Sequence, residues 1–377
     1  MPEVTTIAPP PRTGEFTILR GQCVAMFAYD VGFAVDLNKA AALLTREIPQ
    51  RETLKHSRRA PKYFEYQPAP IRVTRSGTPV SVGRFTTQAS IEALVYDFGA
   101  ISITFTIPLS GPVEGLLPLS SALYENAALL AESRRIVDDL VRLLEATINK
   151  PHVTALVEDY IVFDVDEWQL PERHAGLQGW IDECGPLIAR ILRSDTEILS
   201  KQEVDDALSC RIAYADNDAA LIDWNAALLF GREMQDVTAV LEFANVELLE
   251  MRFLDDQLDR ALGEAYETSQ RTTRLGFFES GAELRRISRM QIDSAILFEG
   301  VNNALKLLGD VYLSRVYRLA AGRLHLPEWD GSIIRKLGTL ESIYSKLSDR
   351  QANRRMEILE WIIILLILFE VVMSFIR

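Results

Sequence analysis

Cysteine and histidine are scarce in this chain, and their scarcity limits the chemistry it can perform. Of its 377 residues, three are cysteine and four are histidine. Cys23, Cys184 and Cys210 are far apart and form no CxxC pair, so the sequence does not indicate a disulfide framework or a zinc site. The odd number of cysteines favours reduced, buried thiols in a cytosolic setting.

Several common catalytic and phosphate-binding motifs are also absent. The sequence contains no GxxxxGK[ST], GxGxxG, GxSxG or HExxH. These patterns belong to P-loop proteins, dinucleotide-binding domains, α/β-hydrolases and zinc proteases. The sequence therefore predicts no cofactor, and it leaves open whether the protein is an enzyme, with a non-enzymatic role favoured.

The N-terminal segment, residues 1–14, has none of the marks of a targeting peptide. It is rich in proline and threonine, lacks a long apolar core and contains few arginines. Signal peptides need that apolar core, and mitochondrial transit peptides are rich in arginine. We therefore expect residues 1–14 to be a disordered lead.

Acidic residues outnumber basic ones, which bears on the possible partners. The formal net charge is -13 at pH 7, and the pI is about 5.0. An acidic chain is poorly suited to nonspecific binding of nucleic acid. Hydrophobic content of 48% and charged content of 25% are ordinary for a globular protein, and the length predicts two domains.

The order of sequence patterns predicts an α+β fold. It consists of an N-terminal mixed α/β domain with antiparallel strands, followed by a helical bundle and a C-terminal transmembrane helix. After the lead, the predicted boundaries are 15–167 for the α+β domain, 168–326 for the helical domain, 327–357 for an amphipathic, coiled-coil-like helix and 358–376 for the transmembrane helix.

The clearest predicted element is a β-hairpin in the first domain. Residues 91–96 and 100–107 flank Asp97-Phe98-Gly99. The second arm alternates apolar and polar side chains, as a strand with one buried face does. Gly99 is predicted to adopt a turn conformation that a Cβ atom would oppose.

The most apolar segment of the chain is residues 358–376. As a helix, these nineteen residues span roughly 28 Å, close to the roughly 30 Å of a hydrocarbon core. Trp361 lies at the entrance, where an amphipathic ring favours the membrane interface. Glu370 lies in the second half and costs roughly 2.5–3.5 kcal/mol in lipid if it is ionised. The alternative is a helix buried in a soluble oligomer.

The charges that flank this segment predict its orientation. Most of the nearby arginines lie before it and one lies after it: Arg350, Arg354, Arg355 and Arg377. Cytoplasmic flanks carry the excess of basic residues. We therefore expect a single-pass protein of the cell inner membrane whose N-terminal bulk is cytoplasmic.

The helix that precedes this segment carries a heptad pattern. Its apolar residues are spaced four, three, four and three apart: Ile333, Leu337, Leu340, Tyr344 and Leu347. This spacing is typical of a coiled-coil seam, which predicts a homo-oligomer that pairs through these residues. An ordinary amphipathic helix in a bundle has the same spacing.

Two acidic clusters are candidate metal sites. Asp255, Asp256 and Asp259 form a DDxxD pattern, in which the first and last carboxylates share one helix face and can chelate magnesium together. Asp164 and Asp166 share one side of a predicted strand. The alternatives are a solvated helix face for the first cluster and a strand end entering an acidic loop for the second.

A basic segment is the candidate for an anionic partner. Residues 46–84 carry a local charge of +6, with aromatic residues interleaved, and its central cations are Arg51, Lys55, Arg58, Arg59 and Lys62. Basic and aromatic residues together favour RNA or lipid headgroups. The alternatives are a contact with RNA or a ribosome, a contact with lipid headgroups, or a loop whose charge balances the acidic helices.

Two segments resemble a known family. The C-terminal part of the chain resembles the C-terminus of the "required for meiotic nuclear division" (YagE-like) family. The resemblance lies in Leu347-Ser348-Asp349, the run from Arg355 to Ile367 with its Leu-Glu-Trp, and Glu370-Val371. The hairpin from Val95 to Ile101 is similar to that family's N-terminal signature. Together the matches cover about a quarter of the chain. This limited resemblance is typical of a distant, bacterial-type member of the family.

The resemblance implies a membrane role and no particular reaction. Eukaryotic members of that family are mitochondrial inner-membrane proteins that support organelle translation as oligomers, and no catalytic residues are known for it. We therefore predict a non-enzymatic scaffold or assembly protein anchored in the membrane. The alternatives are an RNA- or ribosome-associated factor that supports translation and a magnesium-dependent enzyme that uses the acidic clusters.

Overall fold

The computed structural model describes residues 15–47, 54–57, 69–232, 234–274, 292 and 311–376. The strands, numbered in chain order, are β1 (Thr17–Asp30), β2 (Ala34–Val35), β3 (Leu54–Ser57), β4 (Ile71–Ser76), β5 (Ser81–Val82), β6 (Phe85–Thr86), β7 (Ser90–Val95), β8 (Ala100–Pro112), β9 (Ile148–Asn149), β10 (Val157–Gln169), β11 (Arg211–Ile212), β12 (Ala219–Ile222) and β13 (Ala226–Phe230). The helices are α1 (Leu37–Glu47), α2 (Leu116–Leu123), α3 (Ala127–Leu144), α4 (Leu177–Glu183), α5 (Gly185–Arg193), α6 (Lys201–Ala207), α7 (Gln235–Arg274), α8 (Val311–Arg323) and α9 (Leu326–Ile376).

The main sheet has nine strands in the order β11-β12-β13-β10-β1-β8-β7-β4-β3. The long strands β1, β8 and β10 form its centre, with β1 antiparallel to both neighbours. Strands β10 and β13 run parallel, with Ile161 opposite Ala226 and Val165 opposite Phe230. The carboxyl ends of this parallel pair therefore meet at one edge of the sheet.

Each face of the sheet carries a separate apolar core. On one face, Phe105 and Phe163 belong to a cluster that includes Leu140 of α3 and Ile188 of α5. On the other face, Val162 belongs to a cluster that includes residues of α7 and α8. Burying both faces explains why most residues of the central strands are buried.

The predicted hairpin is confirmed. Strands β7 and β8 pair antiparallel, with Ile91 opposite Phe105 and Val95 opposite Ile101. Gly99 lies in the turn with φ of +100°, and an added Cβ would overlap the carbonyl oxygen of Gly32. The turn therefore requires glycine both for its conformation and for the close approach of the Gly32 backbone.

The predicted boundary between an α+β domain and a helical domain at residue 167 is wrong. Strands β11, β12 and β13 lie beyond it and belong to the same sheet. All residues of β12 and β13 are buried, so these strands are short, continuous apolar runs without alternation. Periodicity does not distinguish such runs from buried helix. The coarse order, a mixed sheet with helices followed by a helical region, is confirmed.

The chain divides into two compact units. The first comprises Met1–Glu250 and Gly300–Pro327, and the second comprises Met251–Glu299 and Glu328–Arg377. Within the described part of the chain, no helix is both long enough and apolar enough to cross a membrane. The predicted lead, residues 1–14, lies outside the described residues.

Candidate functional site

The structure provides a cation for the DDxxD cluster from within the chain. Nζ of Lys336 on α9 lies 2.7 Å from Asp255 Oδ1 and 2.6 Å from Asp259 Oδ1. Asp256 forms an ion pair with Arg260 instead. Asp255 and Asp259 share a helix face as predicted, but the ammonium of Lys336 lies between their carboxylates. This arrangement satisfies the two acids without a metal ion.

The predicted oligomer seam is largely occupied inside the protomer. Ile333 and Leu340 are fully buried, whereas Leu337 and Tyr344 are half-buried. The side chain of Leu347 lies outside the described residues. Ile333 and Leu340 are covered within the chain, and the predicted pairing with a second copy through this seam stays a prediction.

The second half of α7 lies beside this part of α9. Leu254, Leu258 and Ala261 are buried there at heptad spacing. Ser332 of α9 donates a hydrogen bond to Asp255 of α7 at 3.2 Å, which places the two helices side by side. The heptad spacing is therefore compatible with helix packing within one chain.

The later part of α9 has the largest exposed apolar surface among the described residues. From Trp361 to Phe369 every residue is apolar and between 46% and 65% exposed. A helix that is apolar on all sides needs a nonaqueous environment. Trp361 lies at the start of this stretch, and the side chain of Glu370 lies outside the described residues.

Most of the central cations of the basic segment lie in ranges that the structure does not describe, residues 48–53 and 58–68. Arg51, Arg58, Arg59 and Lys62 lie outside the described residues. Lys55 lies in β3, which pairs with β4 at the edge of the sheet, but its side chain is not described. The predicted contact with RNA, a ribosome or lipid headgroups stays a prediction.

Asp164 and Asp166 lie on the same face of β10. Gln22 on the adjacent β1 donates a hydrogen bond from Nε2 to Asp164 Oδ2 at 3.2 Å. Burial raises the pKa of Asp164 to about 6; the hydrogen bond from Gln22 opposes this shift, and the charge of Asp166 adds to it. Asp164 Oδ1 is buried without a hydrogen-bond partner among the described residues.

A cleft opens next to Asp166, where the parallel strands β10 and β13 end. Its volume is about 720 Å³. Its wall is formed by Leu19 of β1, the end of β10, the loop before β12 and the segment between β13 and α7: Asp166, Glu167, Trp168, Asn217, Asp218, Gly231, Arg232 and Met234. Ligands of open α/β sheets commonly bind beyond the carboxyl ends of parallel strands.

The loop on one side of the cleft is held by Asp218. Its two carboxylate oxygens accept the backbone N–H groups of Tyr214 at 2.7 Å and Ala215 at 3.1 Å. Its own carbonyl oxygen accepts a hydrogen bond from Gln178 Nε2 of α4 at 2.9 Å. The loop therefore has a defined conformation before any ligand binds.

A partly buried polar layer between α7 and the sheet was not predicted from the sequence. Arg72 of β4 contacts Glu92 of β7 at 2.6 Å, and Glu92 lies opposite Thr104 of β8. Thr104 in turn donates a hydrogen bond to Glu242 of α7 at 3.3 Å. Burial raises the pKa of Glu242. No spacing signal separates this glutamate from the solvated acids that are common on helices.

A second set of buried acids lies at the end of β1. His152 Nε2 is 2.5 Å from Asp30 Oδ1, and the hydrogen bond to Asp30 raises the pKa of His152. Burial raises the pKa of Asp30 although His152 opposes the shift. Burial and the charge of Asp30 raise the pKa of Glu250 well above its usual value. An acidic residue ending an apolar strand was the one available signal for this set.

A network of arginines and acids joins four parts of the first unit. Asp223, in the turn between β12 and β13, is fully buried and accepts hydrogen bonds from Arg193 of α5 at 3.0 Å and Arg323 of α8 at 2.6 Å. Both arginines also contact Asp206 of α6. All these charges have partners, which indicates a structural role.

No metal centre is found in the described part of the chain. Among the described residues, no three Asp, Glu, His or Cys side chains are placed so that they could hold a metal ion. The cleft beside Asp166 is therefore the best-defined candidate site for a ligand. The exposed apolar stretch of α9 is the best-defined candidate surface for contact with an apolar environment.

Comparison with known proteins gives one family. Residues 20–236 match the family described as "Uncharacterized protein MJ0711, N-terminal domain". Over 229 residues the chain is 21% identical to the uncharacterized protein MJ0711 of Methanocaldococcus jannaschii, which covers 60% of this chain and 69% of that protein. No solved structure matches the chain significantly. Most of the resemblance to the meiotic-nuclear-division family lies beyond residue 236 and stays a prediction.

Proposed function

The chain belongs to the family of the MJ0711 N-terminal domain, and on that premise we propose that it is a non-enzymatic scaffold tethered to a membrane by the end of α9. The family region, 20–236, contains most of the mixed sheet and nearly the whole cleft. The apolar stretch of α9 lies outside that region. A binding domain and an anchoring helix are thus separate parts of the chain.

The exposed stretch from Trp361 to Phe369 is the observation that carries the proposal. Exposed apolar surface costs about 25 cal/mol per Å² relative to burial, and here it is contiguous and surrounds the helix. In the sequence it continues to residue 376, a length of nineteen residues from 358, which suits a bilayer core of roughly 30 Å. Some of the side chains along that length are not described.

The orientation and location follow from the flanking charges. Arginines precede the apolar segment more densely than they follow it, which favours an N-terminal bulk on the cytoplasmic side of the cell inner membrane. In this location the family region, residues 20–236, would bring bound partners to the membrane surface. Homo-oligomers and an RNA or ribosome contact stay predictions.

The magnesium-enzyme alternative is less well supported. Its first acidic cluster is paired with Lys336, which lies between Asp255 and Asp259. Its second cluster, Asp164 and Asp166, has a hydrogen bond from Gln22 and an ion pair with Arg20. A cation of the chain therefore already contacts Asp255 and Asp259 in the first cluster and Asp166 in the second.

Membrane fractionation of the full-length protein tests the proposal. We expect the unaltered protein to sediment with membranes and to resist a carbonate wash. The double variant Ile363→Lys, Leu366→Lys places two charges in the apolar stretch, each costing roughly 2.5–3.5 kcal/mol in lipid, and should appear in the soluble fraction.

A matched control uses two exposed apolar residues elsewhere. Ile198 is 92% exposed and Val311 is 77% exposed, so the variant Ile198→Lys, Val311→Lys adds the same charge without touching the stretch. It should fractionate like the unaltered protein. The tether is rejected if the unaltered protein is soluble without detergent, as a monomer or an oligomer, or if the α9 variant remains in the membrane.

A further inference from the structure

We propose that the cleft beside Asp166 binds a cationic group on an apolar stem, a guanidinium or alkylammonium such as that of an arginine or lysine side chain. The proposal concerns the first unit of the chain and does not depend on the membrane tether. The same chemistry has two sources, a partner polypeptide or a free small amine, which the experiment below distinguishes.

The charge of the cleft favours a cation. Three carboxylates line it, those of Asp166, Glu167 and Asp218, against one guanidinium, that of Arg232. Asp218 already accepts two backbone N–H groups, so Asp166 and Glu167 are the acids best placed to bind a ligand. Carboxylates hold guanidinium groups through charge-assisted hydrogen bonds.

A guanidinium of the chain itself already contacts both acids. Arg20 Nε lies 3.3 Å from Asp166 Oδ2, and its Nη2 lies 3.1 Å from Glu167 Oε1. The Arg20 side chain is 62% exposed, and an exposed ion pair contributes little to stability. Arg20 therefore shows which chemical group these two carboxylates accept, while a ligand with additional contacts can displace it.

The buried carboxylate of Asp164 is an independent observation that favours positive charge in the cleft. Asp164 lies two residues before Asp166 on the same face of β10. Only 1% of Asp164 is exposed, and its Oδ1 has no hydrogen-bond partner among the described residues. A buried acceptor without a partner is unusual and costly, and a cation held at Asp166 lowers the cost of ionising Asp164.

Apolar side chains in the cleft suit the stem of such a group. Trp168 is half-buried, and its ring packs edge-on against Phe230 with centroids 5.7 Å apart, which fixes its orientation. Leu19 is 52% exposed at the cleft, and Met234 also lines it. Indole rings bind cations over their faces and pack on methylene chains.

The dimensions of the cleft agree with a ligand of this size. Its volume of about 720 Å³ falls within the range of small-ligand sites, roughly 300–1,000 Å³. Because the cleft is bounded by strand ends and by a loop that Asp218 fixes, little ordering is needed on binding, and this preserves affinity.

Calorimetric titration of the full-length protein in detergent tests the proposal. The probe is Nα-acetyl-arginine methylamide, and the comparison ligand is the citrulline analogue, which has the same shape without the charge. We expect saturable binding of the arginine probe and at least about tenfold weaker binding of the citrulline analogue, as the loss of charge-assisted hydrogen bonds implies.

Three variants separate the cleft from nonspecific charge effects. Asp166→Asn with Glu167→Gln should weaken binding at least about tenfold, whereas Arg20→Ala should strengthen it because the internal competitor is gone. The matched control Asp205→Asn with Glu172→Gln removes two exposed acids that do not line the cleft and should bind as the unaltered protein does. Circular dichroism of each variant verifies the fold.

The source of the cation is decided by a second pair of ligands. An arginine-containing tripeptide with blocked ends that binds more tightly than agmatine indicates a partner polypeptide, and the reverse order indicates a free amine. The proposal is overturned if the folded protein binds neither, if the citrulline analogue binds as well as the arginine probe, or if the cleft variant binds as tightly as the control.

Discussion

Lys336 and Asp255 form an ion pair of 2.7 Å between α9 and α7. The lysine also contacts Asp259 one turn further along α7, at 2.6 Å. Side chains of Lys336 and Asp255 are 20% and 17% exposed, so the pair is shielded from water more than a surface pair. A DDxxD pattern thus serves as the acceptor for a lysine from another helix of the same unit.

Replacing this lysine tests its structural role. The variant Lys336→Met keeps the stem and removes the charge, which leaves two carboxylates close together without a cation. We expect the free energy of unfolding to fall by about 1–2 kcal/mol, more than for an exposed ion pair. Urea unfolding followed by circular dichroism measures the change.

The control for this variant is Lys346→Met, which changes an exposed lysine on the same helix. It should alter stability by less than about 0.5 kcal/mol. Equal effects of the two variants would refute the structural role. Stabilisation by Mg²⁺ that Asp255→Ala abolishes would instead support a metal site.

The buried carboxylate of Asp223 gives a larger expected effect. Its guanidinium partners, Arg193 and Arg323, have side chains only 11% and 14% exposed. Asp223→Ala leaves both cations without their buried acceptor, and removing one member of a buried pair costs about 3–5 kcal/mol. Thermal and urea unfolding of the variant measure the loss.

Asp206 provides the matched comparison for Asp223. It contacts the same two arginines but its side chain is 52% exposed. Hydrogen bonds from Arg323 and Arg193 lower the pKa of Asp206 to about 2. Asp206→Ala should cost clearly less than Asp223→Ala because water can replace the carboxylate. A loss below about 1 kcal/mol for Asp223→Ala would contradict the assignment of the network as structural.

The parts of the fold that were predictable share a strong local signal. The hairpin has alternation on β8 and a glycine at Gly99, where the turn requires positive φ. Strands β12 and β13 lacked such a signal, because they are buried on both faces and show no alternation. The pairing of β13 with β10 is a contact over long sequence distance, which local patterns do not encode.

The candidate sites were predictable only in part, for the same reason. Helical spacing placed Asp255 and Asp259 on one face, but no pattern pointed to Lys336 as their partner. Heptad spacing predicted a buried seam at Ile333 and Leu340, yet the same spacing describes packing within a chain and between chains. The cleft combines residues of β1, β10 and two loops that only the folded sheet brings together.

Gly99 allows a test of the turn between β7 and β8. Its φ of +100° is rare for residues with a Cβ, and the Gly32 carbonyl oxygen occupies the position of an added methyl group. We expect Gly99→Ala to lower the free energy of unfolding by more than about 2 kcal/mol. Urea unfolding measures the change.

Gly179 is the matched control for that substitution. It lies in α4, and an added Cβ there meets no atom within 4 Å. Gly179→Ala should be neutral or stabilising by a few tenths of a kcal/mol to about 1 kcal/mol, because alanine favours the helix. The strain at Gly99 is disproved if both substitutions have the same effect.

The raised pKa of Asp164 predicts a pH-dependent stability difference. Burial, with a smaller contribution from the charge of Asp166, raises the pKa to about 6, whereas an unfolded aspartate titrates near 4. Between these values the folded state holds the proton more tightly than the unfolded state. The free energy of unfolding therefore falls as pH rises from about 4 to about 6, by at most about 3 kcal/mol.

Asn at position 164 mimics the protonated acid and keeps an acceptor for Gln22, so Asp164→Asn removes this penalty. The variant should match the unaltered protein near pH 4 and be more stable by about 2–3 kcal/mol at pH 7.5. Urea unfolding of both proteins from pH 4 to 8 gives the difference, in which the other titrating groups largely cancel. For Asp205→Asn, at an exposed site, the difference in free energy of unfolding from the unaltered protein should not change with pH. The same result for Asp164→Asn would mean that Asp164 ionises normally despite its burial.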